Sequence, residues 1–257
     1  MVNVSFDRCV DCFDERPSLP EPLMDELLER LVDELGEGAL ILEIGAGTGR
    51  FTIPLQARGI RIVAADISRA MIVRARAKGA ADAFVADAMR LPFRGDAFEA
   101  TLTVSVLHLV GSWREALHEI ARVTRGRHLN VFETHRLYRL PGRGGSPDPY
   151  DPLGRYMETA GPPWQGYSHP SHQWGDEAQQ IESPESRVRI GPRSQVVEGN
   201  LLLRLLEARS YSPQWPVPDS VHTKVIDRLR TEMAGRRFDF TSEVEIIVWN
   251  PDALRRM

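Results

Sequence analysis

Three observations predict an α/β domain with a doubly wound sheet and helices on both faces. Residues 40–44 form a short apolar run, which is typical of a buried parallel strand. Gly45, Gly47 and Gly49 follow at alternate positions, and helical character begins at Phe51. Apolar runs and amphipathic stretches then alternate along the chain, as in successive βα units. The glycine turn of the first unit is expected to face a ligand beyond the carboxyl end of its strand.

The composition predicts one folded domain over residues 1–257 and excludes several classes of function. Hydrophobic residues make up 42% and charged residues 26% of the chain, as in globular proteins. We expect no membrane association, because no apolar run approaches the roughly 20 residues of a membrane span. The first fifteen residues are polar and acidic, which predicts no signal peptide and a cytoplasmic location. A net charge of -4 argues against a nucleic-acid partner.

The other elements follow from hydrophobic periodicity and from residues that begin or end helices. Strands are predicted at 60–65, 83–86, 97–105, 128–133 and 238–249, the last as an antiparallel edge strand. Helices are predicted at 22–35, 68–78, 112–124, 196–208 and 219–233. Ser68 is the predicted N-cap of the second of these helices, and Asp219 or Ser220 that of the last.

Acidic residues at successive strand ends indicate the kind of ligand. A dinucleotide site favours G-x-G-x-x-G, whereas this chain has Arg50 at the last glycine position. Glu43 precedes the turn, where its carboxylate would repel a pyrophosphate and suit a cationic or amine-bearing ligand. Asp66 ends the second strand, where it can accept hydrogen bonds from both ribose hydroxyls, and Asp87 follows the third. An NAD-linked oxidoreductase is therefore the weaker alternative.

The pattern Glu43-x-Gly45-x-Gly47-x-Gly49, followed by Asp66 and Asp87, resembles the class I S-adenosylmethionine-dependent methyltransferases, in particular the small-molecule (type 11, UbiE-like) group. The resemblance implies a Rossmann-like sheet of seven strands, the last antiparallel, and a cap or lid after the fifth strand. It implies S-adenosylmethionine as methyl donor and S-adenosylhomocysteine as product, with Asp87 and the next amide at the adenine. The implied cofactor-binding residues are Arg16, Glu43, Gly45, Ala46, Gly47, Thr48, Gly49, Asp66, Ile67, Asp87, Ala88, Met89, Ser105 and Leu107.

The N-terminal residues 5–20 resemble the segment that folds over the cofactor in this group. Arg16 is either the partner of the methionine carboxylate or a solvated surface arginine. Cys9 and Cys12 form a C-x-x-C pair, which with His169 and His172 could make a zinc site, or alone a redox pair. We favour small buried residues of a short helix and predict no metal.

The turn 106–110 matches the family segment beside the transferable methyl group. His108 there is either a general base or a packing residue. Residues 137–193 are rich in proline, glycine and aromatic residues, do not continue the sheet pattern, and are predicted to roof the acceptor pocket. The candidate acceptor-site residues are His135, Tyr156, Trp164, His169 and His172.

The function predicted is methyl transfer to a small molecule at oxygen, nitrogen or carbon, by alignment and desolvation. A methyltransferase acting on protein or RNA, and a non-catalytic partner that binds S-adenosylmethionine, are the alternatives. The predicted division is an N-terminal helical cofactor lid (1–36), a cofactor-binding core (37–134), a cap and acceptor region (135–235) and a C-terminal strand (236–257). We expect a monomer or a homodimer.

Overall fold

The computed structural model describes residues 6–139, 152–162 and 184–256, with the backbone alone for residues 134–139. The strands among them are β1 (Leu40–Ile44), β2 (Arg61–Asp66), β3 (Asp82–Val85), β4 (Phe98–Val104), β5 (Thr124–Arg139), β6 (Ser186–Glu198) and β7 (Arg237–Trp249). The helices are α1 (Val10–Phe13), α2 (Glu21–Leu35), α3 (Thr52–Ala57), α4 (Arg69–Ala77), α5 (Trp113–Val123), α6 (Pro152–Ala160), α7 (Gly199–Glu207), α8 (Asp219–Met233) and α9 (Pro251–Arg255). Short 3-10 helices lie at Asp7–Cys9, Leu107–Leu109 and Ser212–Gln214.

The strands form one seven-stranded sheet in the order β3-β2-β1-β4-β5-β7-β6. Strands β1 to β5 pair in parallel with one another, and β7 is antiparallel to both β5 and β6. This confirms the predicted fold class of seven strands with the last one antiparallel. The prediction that the last strand lies at the edge is wrong, because β7 lies between β5 and β6.

The edge strand on that side is β6, which the sequence analysis did not identify. Residues 137–193 were predicted to leave the sheet, yet β6 begins at Ser186, and β5 continues to Arg139. The predicted helix at 196–208 begins only at Gly199. Pro192 concealed the strand pattern, but an edge strand tolerates proline, and the register shifts at this point, between Ile190 and Arg193.

Both faces of the central strands β1 and β4 are largely buried, which explains their continuous apolar character. Ile41 of β1 packs in the cluster that contains the leucines of α2, and its neighbour Leu42 packs on the opposite face with α5. Ser68 caps α4 as predicted, since its hydroxyl accepts a hydrogen bond of 3.1 Å from the amide of Met71. The predicted cap of α8 is wrong, because Pro218 occupies that position without a side-chain bond.

A third apolar cluster lies beyond the parallel sheet. Phe238 and Phe240, at the start of β7, pack there with side chains of α6, α7 and α8. This cluster places α6 beside the carboxyl end of β5. Within the described residues, no helix has the length and apolar character needed to cross a membrane.

Candidate functional site

A cavity of about 390 Å³ opens at the carboxyl ends of the parallel strands. Its glycine-turn end is formed by the residues that follow β1 and β2, and its β5–β7 end by Val131, Glu133 and Val244. Predicted site residues that line the cavity are Arg16, Glu43, Gly45, Ala46, Gly47, Asp66, Ile67, Ala88, Ser105 and His108. The fold therefore brings most of the predicted cofactor residues to one place.

The turn after β1 requires glycine at its first position. Gly45 has φ +75°, and a Cβ atom added there would lie 2.2 Å from Cγ2 of Val106. A side chain at this position would thus collide with the turn that follows β4. The close approach joins the glycine turn to the segment that carries His108.

Asp66 is held by the backbone of the same turn. Its carboxylate accepts a hydrogen bond of 2.8 Å from the amide of Gly47 and another of 2.8 Å from the amide of Ser68. Burial raises the pKa of Asp66, while these two amides favour the charged form. The carboxylate is therefore fixed at the cavity wall by groups that belong to β1–α3 and β2–α4 connections.

Glu43 is a buried carboxyl group at the cavity, with a relative exposure of 2%. The hydroxyl of Thr52 donates a hydrogen bond to it. Burial raises the pKa of Glu43 to about 7, and the charge of Asp66 acts in the same direction. A cation bound beside Glu43 would stabilise its carboxylate, because opposite charges favour the ionised form.

The N-terminal segment, residues 6–20, crosses the glycine turn. The carboxylate of Asp14 accepts bonds from the side chains of Thr48, Arg74 (3.2 Å) and Lys78 (3.0 Å). Asp7 accepts a bond of 2.6 Å from the hydroxyl of Ser68. These contacts fasten the segment to α4 and to the turn, so the segment forms one wall of the cavity.

The side chain of Arg16 extends from this segment into a group of aromatic rings. Its guanidinium carbon lies 5.2, 4.8 and 5.1 Å from the ring centroids of Phe6, Phe13 and Tyr211. Its Nε is buried and has no hydrogen-bond partner among the described residues. Burial lowers the pKa of Arg16. The alternative of a solvated surface arginine is therefore wrong.

The cysteines lie in the short helices of the same segment. Cys9 is buried and its sulfur lies 3.8 Å from a guanidinium nitrogen of Arg16. The sulfur of Cys12 lies 2.9 Å from the hydroxyl of Ser210. Among the described residues, no group of three or more acidic, histidine or cysteine side chains could hold a metal ion. His169 and His172 lie outside those residues.

Several predicted cofactor residues do not line the cavity themselves. Asp87 accepts a bond of 2.9 Å from the amide of Met89, which shapes the turn that presents Ala88. Leu107 is buried in the core beside His108. Thr48 is engaged with Asp14, and Gly49 and Met89 also lie off the cavity wall.

Of the five predicted acceptor-site residues, Tyr156 is the one whose side chain the structure describes, and it does not lie at the cavity. Tyr156 is fully buried in the third apolar cluster, where its hydroxyl lies 2.6 Å from Nδ1 of His222. It does not line the cavity, although Leu153 of the same helix does. The side chain of His135, and Trp164, His169 and His172, lie outside the described residues, as does most of the predicted roof.

Several residues that the fold brings to the cavity were not predicted from the sequence as site residues. Those with polar or aromatic side chains are Phe6, Phe13, Arg50, Phe51, Phe132, Glu133, Tyr211 and Ser212. Glu133 had a usable signal, because it ends the predicted fifth strand as Asp66 nearly ends the second. Phe6 lies in the segment 5–20, which was expected to fold over the cofactor, but it was not singled out. Its contact with the region of Tyr211 arises through tertiary packing.

The central part of the chain is similar to a known family of domains. Residues 42–127 match the model of the methyltransferase domain (Methyltransf_11). Demethylmenaquinone methyltransferase of Mycobacterium tuberculosis is 38% identical over 91 residues, which are 35% of this chain and 38% of that protein. Malonyl-[acyl-carrier protein] O-methyltransferase of Salmonella typhimurium is 28% identical over 134 residues, 52% and 53% of the two chains.

Solved structures agree in fold over more of the chain. A methyltransferase structure of Anabaena variabilis, assigned in its name to an antibiotic biosynthesis pathway, has a TM-score of 0.54 at 15% identity. The similarity covers 84% of this chain and 96% of that one. The chain spans about half or less of the length of the curated relatives it matches. The match to the family model lies in the region of β1 to β5.

Proposed function

We propose that the chain, whose residues 42–127 match the methyltransferase domain model, transfers a methyl group from S-adenosylmethionine to a small-molecule acceptor. The observation that carries this proposal is the set of charged groups at the glycine-turn end of the cavity. Arg16, Glu43 and Asp66 converge there from three separate parts of the chain. Their charges match an amino acid joined to a ribose.

The residues present fit such a cofactor. Arg16 offers a buried guanidinium whose Nε lacks a partner among the described residues, which suits a carboxylate. Glu43 offers a buried carboxyl group that would ionise beside an ammonium or sulfonium cation. Asp66, fixed by two amides, offers its oxygens to ribose hydroxyls. Asp87 and Ala88 are assigned to the adenine on the family pattern alone.

The bound cofactor would supply a methyl group made electrophilic by the sulfonium. The chain's own residues then need to orient both reactants and exclude water. The N-terminal segment excludes water from the glycine-turn end, because Phe13 covers Gly47 and Arg16 fills the gap toward Tyr211. His108 lines the cavity and keeps two interpretations, a base that accepts the acceptor's proton or a packing group.

Two further points support a small acceptor. The name of one curated relative specifies demethylmenaquinone, a small molecule, as what it methylates. The cavity wall is largely apolar, with Leu19, Met24, Val131 and Val244 among its members. Apolar enclosed pockets with a few polar groups are typical of small-molecule sites.

Calorimetry tests the cofactor assignment directly. The protein is expected to bind S-adenosylmethionine and S-adenosylhomocysteine and to show no heat with NAD. Binding of NAD without binding of S-adenosylmethionine or S-adenosylhomocysteine would contradict the proposal. Turnover to S-adenosylhomocysteine, followed by mass spectrometry against candidate acceptors, then separates an enzyme from a non-catalytic binding partner.

A further inference from the structure

The β5–β7 end of the cavity contains a charged residue, Glu133, that has no part in the proposed cofactor site. Glu133 lies on β5, which is separated from β1 by β4 alone, so it lies roughly 10 Å across the sheet from the glycine turn. The charged residues that are proposed to bind the cofactor lie together on the β1–β2 side of the cavity. An acceptor that meets the methyl group must then lie over β4, β5 and β7.

The surroundings of Glu133 at this end are apolar. Val131 lies two residues before Glu133 on the same face of β5, and Val244 is the direct partner of Glu133 on β7. Both valines are buried, and Leu153 of α6 completes the wall. Among the described lining residues on β5, β7 and α6, Glu133 is the one with a charged side chain.

The fold holds this carboxylate in place. Ser242, which is fully buried on β7, donates a hydrogen bond to the carboxylate of Glu133. The register of β5 against β7 shifts immediately after Glu133, and such bulges redirect side chains near functional sites. Glu133 is half-buried, so one side of the group is desolvated.

We propose, on the basis of the proposed methyl transfer, that Glu133 determines the acceptor class by recognising a hydrogen-bond donor or a cation. The acceptor is then an apolar small molecule that carries a hydroxyl or amine group near the end that enters the cavity. Carboxylate-bearing acceptors are disfavoured, because two like charges would meet in a weakly solvated space. Ser242 is a positioning residue for Glu133.

Three probes with the same apolar chain and different head groups test this: octylamine, 1-octanol and octanoate. Their dissociation constants are measured at saturating S-adenosylhomocysteine for the wild type, Glu133→Gln and Ser242→Ala. The wild type is expected to bind octylamine at least about tenfold more tightly than octanoate, a difference of about 1.4 kcal/mol. Glu133→Gln, which keeps the shape and the bond from Ser242, is expected to abolish that preference. Ser242→Ala is expected to reduce it.

Glu37→Gln is the matched control, because Glu37 is exposed in the turn after α2 and should leave the preference unchanged. Equal binding of octylamine and octanoate by the wild type, no binding of any probe, or the same preference in Glu133→Gln would overturn the proposal. Calorimetry with S-adenosylhomocysteine is carried out first on each variant. If the wild type did not bind that nucleoside, the proposed function would fail, and the three probes measured without it would still decide the role of Glu133.

Discussion

The two ends of the cavity are built by contacts of very different range. At the glycine-turn end, Asp66 receives its hydrogen bonds from residues 19 and 2 positions away in the chain. At the β5–β7 end, Glu133 is held by a serine 109 positions away. A short sequence pattern can specify the first arrangement, whereas the second exists only after β7 has paired with β5. The first end is therefore a property of a motif, and the second a property of the fold.

The largest effect is expected from Gly45→Ala, which tests whether the glycine-turn end depends on its backbone. The added methyl group would lie 2.2 Å from Val106 at a position with φ +75°. Overpacking and the unfavourable backbone together are expected to lower the free energy of unfolding by about 2–4 kcal/mol. Urea denaturation measures this.

Gly59→Ala is the control for that experiment. Gly59 also has a positive φ, of +86°, but an added Cβ would meet no atom within 4 Å. It is expected to cost only about 1 kcal/mol, the backbone part of the effect. Equal losses for the two variants would show that the contact between the glycine turn and Val106 is unimportant.

Glu43→Gln tests whether the buried carboxyl group at the glycine-turn end destabilises the folded protein when no cation is bound. The folded-state pKa of about 7 lies above the ordinary value of 4.5, so the protonated form is favoured in the folded protein. Stability from this group is complete below pH 4.5 and is lost as the pH rises through 7. Glutamine mimics the protonated form, so the variant is expected to gain up to about 3 kcal/mol at pH 8.5 and little at pH 4.5.

Urea denaturation at the two pH values measures the gain, with Glu37→Gln as the exposed control. A constant difference between Glu43→Gln and the wild type at both pH values would contradict the raised pKa. The same variant is expected to bind S-adenosylhomocysteine more weakly, because it cannot present a charge to the ammonium group.

Asp66→Ala tests the proposed ribose contact. Binding of S-adenosylhomocysteine is expected to weaken by about 1–3 kcal/mol, or roughly fivefold to 150-fold in affinity, as charged hydrogen bonds are lost. Calorimetry measures the change. Asp82→Ala, at an exposed position at the start of β3, is the matched control and should leave the affinity unchanged. An Asp66→Ala protein that bound as tightly as the wild type would remove Asp66 from the cofactor site.

Most of the fold could be predicted from the sequence, because its signals are local. The apolar runs of β1, β2 and β4 and the leucine face of α2 were identified from periodicity within a few residues of their observed bounds. β6 was missed because Gly191 and Pro192 interrupt its alternation, and only its pairing with β7 makes the interruption tolerable.

The candidate site was predictable at one end for the same reason. Glu43, Gly45 and Asp66 follow from the strand-end pattern, and they line one cavity. Phe6 belongs to the segment 5–20 that was expected to cover the cofactor, but its convergence with Tyr211 on Arg16 arises from tertiary packing, which the sequence does not show. Tyr156 was named for its residue type within an aromatic-rich stretch, and composition could not show that it faces the core.

Tyr156→Phe is expected to have the smallest effect, and it tests whether α6 serves the β5–β7 end as scaffold or as a binding element. The Tyr156 hydroxyl lies 2.6 Å from His222, away from the cavity, so its loss should cost about 1 kcal/mol of unfolding free energy. The affinity for S-adenosylhomocysteine and the head-group preference of the octyl probes should not change. In a His222→Ala background the same substitution should cost less, because the bond is already absent. Unchanged stability with altered probe binding would instead restore Tyr156 to the acceptor site and would extend the binding surface of the β5–β7 end beyond Leu153.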